Sequence, residues 1–179
     1  MPIKWDKFKS NMKKYMESFE AETEADLAKK LATEYENAVK TGGDAVYGNA
    51  ILKGNKKLFE AIFQQAFEGM KVGMPVPSAT ILMGNASVTY WSGALLKSGA
   101  PPAVAKLPPS STTIVSNTVL VPGAPVPIQL KNSDNYDDFL DGMISSFKKH
   151  LLTIGGSTVA LVPSPAGPVP TPFPFVGYK

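Results

Sequence analysis

Apolar residues recur along the first forty positions at helical intervals. Trp5, Phe8, Met12, Tyr15 or Met16, and Phe19 follow a 3-4-3-4 spacing, with Lys7, Lys9, Lys13 and Lys14 on the flanks. That spacing predicts an amphipathic helix with one buried stripe. A second stripe runs through Leu27, Leu31, Tyr35, Ala38 and Val39. The phase shifts between the two, across the acidic stretch Glu17 to Asp26, so a break is expected there. Thr23, three residues before Asp26, has the spacing of a capping box, and Thr41-Gly42-Gly43 ends the second helix. Residues 44–54 read as a loop or short helix. Asn55 is placed to cap a third helix over 56–71, where Leu58, Phe59, Ile62, Phe63, Ala66, Phe67 and Met70 cover more than half the circumference. Such a helix is expected to lie between partners.

The second part of the chain has a different grammar. Residues 78–98 contain two strand-like runs, 78–83 and 87–91, but also small residues at 79, 84, 86, 87, 93 and 94. No Pro interrupts 78–100, so a helix packed on 56–71 is favoured over strands, with Tyr90 and Trp91 at its edge as a contact surface. Thr112 to Val121 is β-branched and reads as a strand, with Pro122-Gly123 as a turn and Val126 to Leu130 as its hairpin partner. Residues 135–154 make the clearest helix. Asp137, Asp138 and Asp141 sit near its start and Lys148, Lys149 and His150 near its end, complementing the helix dipole. Its apolar face is Phe139, Leu140, Met143, Ile144, Phe147, Leu151 and Ile154, and Gly155-Gly156 ends it. Ser157 to Val162 is a short strand candidate. Six of the twelve residues from Pro163 to Pro174 are Pro, which predicts a stiff, extended tail without a ladder.

The resulting fold class is α+β and mainly helical: N-terminal helices and a C-terminal helix, a small β-hairpin and an extended Pro-rich tail. Residues 1–156 are expected to form one domain, with a charged helical part (1–71) and a Pro/Gly-rich part (72–156). Residues 157–179 follow as a strand plus arm.

Composition sharpens this division. Residues 1–71 hold twelve Lys and eleven acidic residues, and the remaining 108 positions hold only ten charged groups. Of the 16 Pro, only Pro2 falls in the first part. The whole chain of 179 residues has a net charge of +3, no Arg, no Cys and one His. No disulfide framework, Cys-rich zinc site or thiol nucleophile is available. The missing Arg removes the best bidentate phosphate ligand. Lys residues interleave with acids, so specific nucleic-acid binding is not expected. Charges at Lys4 and Asp6 stand where the apolar stretch of a leader would lie, so a secretory leader is not expected. Residues 72–96 are uncharged and long enough to span a bilayer, but their Pro, Gly and polar content argues against a membrane span.

Chemistry-bearing constellations are sparse. The acids Asp134, Asp137, Asp138 and Asp141 lack the alternation, turn Gly and distal Glu of a calcium loop. His150 has Ser145 and Ser146 nearby in sequence, without a nucleophile elbow. Glu60 and Glu68 read as solvent-facing. There is no phosphate-binding Gly-rich loop. The chain is read as a non-enzyme with no metal and no cofactor.

Three segments together resemble a known group: Tyr90-Trp91-Ser92-Gly93-Ala94-Leu95-Leu96 before a Pro-Pro step; Val115-Ser116-Asn117-Thr118-Val119 into Val121-Pro122-Gly123; and Phe139-Leu140-Asp141 through Phe147-Lys148-Lys149-His150 to Gly155-Gly156. Over residues 78–156 the chain resembles small virion structural proteins of tailed, particularly contractile-tailed, bacteriophages. The resemblance implies a neck, tail or baseplate subunit, made in the host cytoplasm and located in the virion, that forms homo-oligomers and joins other virion structural proteins. It brings no catalytic residues. On this reading Pro163, Pro170, Phe173, Phe175 and Tyr178 belong to a docking arm, and Trp5, Phe8 and Trp91 are contact anchors. Two other readings stay open: a membrane-active protein inserting 72–96, and an adaptor whose Pro-rich tail is the ligand of an SH3-like partner.

Overall fold

The computed structural model describes residues 2–18, 23–43, 50–92, 94–96, 119–130, 135–162, 164–167 and 169–179. Helices make up most of the regular structure among them. They are α1 (Trp5–Glu17), α2 (Glu24–Val39), α3 (Lys56–Lys71), α4 (Val76–Trp91) and α5 (Tyr136–Thr153). The strands are β1 (Ile51–Lys53), β2 (Leu95–Leu96), β3 (Val119–Val121), β4 (Gly155–Val162) and β5 (Val169–Val176). β1 pairs with β2, and β3, β4 and β5 form an antiparallel sheet in that order.

Local chemistry sets the helix ends. The Thr23–Asp26 capping box is complete: Asp26 N–H donates to Thr23 Oγ1 at 3.2 Å and Thr23 N–H donates to Asp26 Oδ2 at 3.1 Å. Two otherwise orphaned amides are thereby satisfied. The start of α1 has no side-chain cap of its own. Lys4 N–H donates instead to Thr41 Oγ1 at 2.9 Å, so the end of α2 serves the beginning of α1. Asn135 caps α5 through Asp137 N–H at 2.8 Å. Asn55 does not cap α3 as expected; its N–H is taken up by Tyr90 O at 2.8 Å, which ties α3 to α4.

Residues 76–91 form a helix, and its inner face is made of Ala79, Met83, Gly84, Ala86, Ser87, Tyr90 and Trp91. A Cβ on Gly84 would come within 2.5 Å of Val126 O, so the small residue is needed for the segment 126–130 to cross α4. That segment is not a strand. Ile128 N–H donates to Thr80 O at 3.1 Å and Gln129 N–H to Ser146 Oγ at 2.9 Å, so it lies between α4 and α5. The anticipated 112–121/126–130 hairpin is therefore corrected. Residues 112–118 lie outside the described residues, and Val119–Val121 pairs with Gly155–Ser157 of β4 instead.

The Pro-rich tail is also corrected. Residues 169–176 make a full ladder with β4, from Gly155 opposite Val176 to Val162 opposite Val169. Parity explains how a Pro-rich segment can do this. Pro170, Pro172 and Pro174 oppose Leu161, Val159 and Ser157, and the alternate residues carry the amides that face β4. Gly177 continues this parity, its N–H donating to Ile154 O at 2.8 Å. Every missing N–H thus falls on the outer edge of β5, the position where a sheet tolerates Pro.

The core is aromatic and shared by all five helices. Tyr35 stacks on Phe59 with ring centroids 4.6 Å apart and meets Phe147 at 4.8 Å and Tyr90 at 5.0 Å. Trp5 lies parallel to Phe147 at 6.0 Å. Met12, Leu31, Phe63, Met83 and Leu140 complete the interior. Each such side chain contributes about 1.5–3 kcal/mol by leaving water.

Candidate interaction surface

The expected contact anchors do not stand at the surface. Trp5 is 7% exposed, and Phe8, Trp91 and Tyr178 are at most 1% exposed. Their aromatic area is consumed by the chain's own core, which corrects their assignment as contact residues. Trp91 Nε1 donates to Tyr35 Oη at 3.0 Å, and its ring meets Tyr178 at 4.8 Å. Tyr178 is held hardest. Its hydroxyl donates to Val39 O at 2.9 Å and accepts from Ile51 N–H at 2.8 Å. Lys179 and Gly43 exchange two backbone bonds, at 2.8 and 2.9 Å. Pro170, Phe173 and Phe175 lie on β5, paired with Leu161, Thr158 and Gly156. Pro163 lies outside the described residues. Tyr178 and Lys179 therefore anchor the C-terminal end to the chain's own fold, and residues 155–176 carry a two-stranded β ladder where a single extended tail was expected.

The candidate chemistry resolves into structural contacts. His150 Nε2 donates to Pro122 O at 2.9 Å, which leaves Nδ1 as a bare, buried acceptor without a partner. Burial pushes the His150 pKa down, partly offset by the bond to Pro122. Ser146 Oγ accepts from Gln129 N–H and donates to Gly142 O at 3.1 Å, so it is not aligned with the imidazole. Asp137 and Asp141 face α1. Lys9 pairs with Asp137 at 3.3 Å and Asp141 at 2.8 Å, and Lys13 pairs with Asp137. These bonds raise the pKa of Lys9 and Lys13 and lower that of Asp137. The pairs are exposed to screening and serve to register α1 against α5 rather than to hold a ligand. Asp134 lies outside the described residues. Among the described residues no three His, Cys, Asp or Glu side chains are placed to hold a metal ion.

Two surface features remain that no internal contact uses. The first is the α3–α4 hairpin. Val72 is 85% exposed at its tip, with Val76 at 54% and Ile81 at 53%, and Pro75 and Pro77 are exposed beside them. No charged residue occurs from 72 to 96. Sequence reading placed Leu58 in the α3 core, but it too is about half exposed. The second is an open cleft of about 340 Å³ where the N-terminal residues, the end of α5 and the C-terminal residues meet. The exposed residues of the hairpin were missed in sequence because a helix without charge gives no polar face to mark what points outward.

Neither a family model, a curated protein nor a solved structure matches the chain. No described helix is long and apolar enough to cross a membrane.

Proposed function

We propose that this chain is a structural subunit of a tailed-phage virion, a neck, tail or baseplate component that oligomerises and joins other virion proteins. The observation that carries the assembly role is the set of exposed apolar residues at the turn and along the uncharged α4 of the α3–α4 hairpin. Single exposed apolar residues are ordinary, but Val72, Val76 and Ile81 exposed together within the charge-free stretch 72–96 that follows Lys71 are the kind of surface that partners cover. The virion assignment itself rests on the sequence resemblance over residues 78–156. Contact is assigned to the hairpin and not to the C-terminal segment, whose ladder and Tyr178 are already engaged within the chain.

Light scattering coupled to size exclusion, with negative-stain images of the peak, tests this. A ring or stack of defined stoichiometry that Ile81→Asp returns to monomer supports the reading. A monomer at all concentrations, for the full chain and with no change on Ile81→Asp, sinks self-assembly through this face. Membrane insertion of 72–96 is less favoured, because α4 buries one full face against α3 and the 126–130 segment. An SH3-type ligand role is less favoured because residues 169–176 are already paired as a strand.

A further inference from the structure

The cleft beside the chain termini is a built recess. Pro2, Ile3 and Trp5 form one wall, Leu151 and Leu152 of α5 the other, and Tyr178 lines the recess between them. Its walls are fixed by backbone bonds: Trp5 N–H to Ile3 O at 3.0 Å, Tyr178 N–H to Leu151 O at 2.9 Å, and the Gly43–Lys179 pair. A recess held open in this way costs little to occupy, because few groups are ordered on binding. Leu152, 69% exposed, extends the apolar surface beyond the mouth.

Among the described residues the charged side chains lining the cleft are Lys148 and Lys179. Neither has an ion-pair partner among the described residues, unlike Lys9, Lys13, Lys30, Lys40 and Lys71. Among the described residues no Asp or Glu side chain lines the recess. An apolar floor under two unpaired ammonium groups calls for an occupant that carries an apolar group with a carboxylate beside it. The recess is open along one side, and its apolar surface continues onto Leu152. An open cleft of this kind suits a side chain inserted from a main chain that stays outside, rather than an enclosed small molecule.

We propose that this cleft docks a segment of a partner polypeptide that presents a large apolar side chain flanked by acidic residues. The proposal deepens the assembly reading and rests on it for the existence of a partner. The apolar side chain rests against Pro2, Ile3 and Leu152, the accessible part of the apolar lining, and the flanking carboxylates meet Lys148 and Lys179. The charges at the rim set specificity and orientation more than affinity.

The test uses the isotope-labelled full-length chain and a short acetylated peptide with a central Leu-Phe flanked by Asp and Glu. The expected result is amide shift changes confined to residues 3–5, 148–152 and 178–179. Lys148→Glu should weaken binding about fivefold, and Leu152→Asp should abolish it. Both positions are exposed, so unchanged thermal midpoints separate lost binding from lost fold. A matching peptide with Lys flanks should bind poorly to the native chain and better to Lys148→Glu. The proposal is overturned if the acidic peptide causes no shifts, if shifts fall elsewhere, or if both peptides bind equally. Decanoate binding where the acidic peptide does not would overturn it in favour of a free amphiphile. Peptide binding by a chain that proves monomeric in scattering would leave the cleft standing and remove self-assembly alone.

Discussion

The two halves of the molecule are held in place by different means. In residues 5–71 the helices carry charge on the outside and apolar stripes on the inside. The start of α2 is set locally, by the Thr23–Asp26 box, and ion pairs such as Lys71–Glu24 at 2.8 Å join one helix to another. In residues 72–179 charge is scarce and order comes from backbone groups reaching across long stretches of chain. Ile128 meets Thr80, Ala124 N–H meets Thr153 Oγ1 at 3.0 Å, and Tyr178 meets both Val39 and Ile51. A buried backbone group without a partner is costly, so these bonds specify where irregular chain must lie. The first half is organised by periodicity, and the irregular chain of the second by backbone bonds made at long range, within itself and, at Tyr178, to the first half.

This contrast breaks most visibly where the halves share the core. Phe147 of α5 contacts Trp5, Phe8, Tyr35, Phe59 and Phe63. Phe147→Ala should cost about 3–5 kcal/mol, read as a lower urea midpoint of a single transition. Two separate transitions would instead show halves that fold independently. Tyr178→Phe tests the backbone principle with almost no change in shape. It leaves Val39 O and Ile51 N–H without their buried partner, and a loss of about 1–3 kcal/mol is expected. A neutral outcome would mean that the ring against Trp91, not the hydroxyl, anchors the C-terminal residues.

His150 provides a pH probe of the second half alone. Its folded pKa lies below the ordinary value of 6.5, because the buried ring has no partner for a proton on Nδ1. The unfolded chain therefore takes up that proton more readily. Stability is complete above about pH 6.5 and falls with acidification, by at most ~1.4 kcal/mol per pH unit, until the folded imidazole also protonates. Urea midpoints compared at pH 7.5 and 5.5 should show this fall, and His150→Gln should flatten it. The smallest effect belongs to the first half: Thr23→Ala removes one local cap, for about 1 kcal/mol. That loss should appear as faster amide exchange over the first turn of α2, with the sheet unaffected.

What the sequence reveals cuts across this division. α1, α2 and α5 were readable because each carries one apolar stripe and a polar remainder, and the capping box has a spacing that few other contexts produce. The helix expected over 78–98 is found only as far as Trp91, with Leu95–Leu96 paired as a strand, and its small residues matter as Gly84 beneath Val126 shows. Trp5, Phe8, Trp91 and Tyr178 were readable as important apolar groups, but a stripe does not say whether its partner is the same chain or another. The β5 strand was illegible because Pro density is a breaker signal. Only the register against β4 reveals that Pro at every second position leaves the inward amides intact. The cleft was invisible because its walls come from residues 2–5, 148–152 and 178–179, brought together only by the fold.

The outer edge of β5 has a bearing on how copies of this chain behave when crowded. Pro170, Pro172 and Pro174 remove amide hydrogens from the edge that would otherwise receive another strand. A chain approaching that edge finds carbonyl acceptors without the donors that alternate with them in a growing sheet. Fibrous stacking through this edge is thereby disfavoured. A protein that accumulates before it is consumed gains a storage property from this arrangement: concentrated stocks should stay free of thioflavin-positive aggregates. Thr-for-Pro replacement at the three edge positions should shorten the time before such aggregates form.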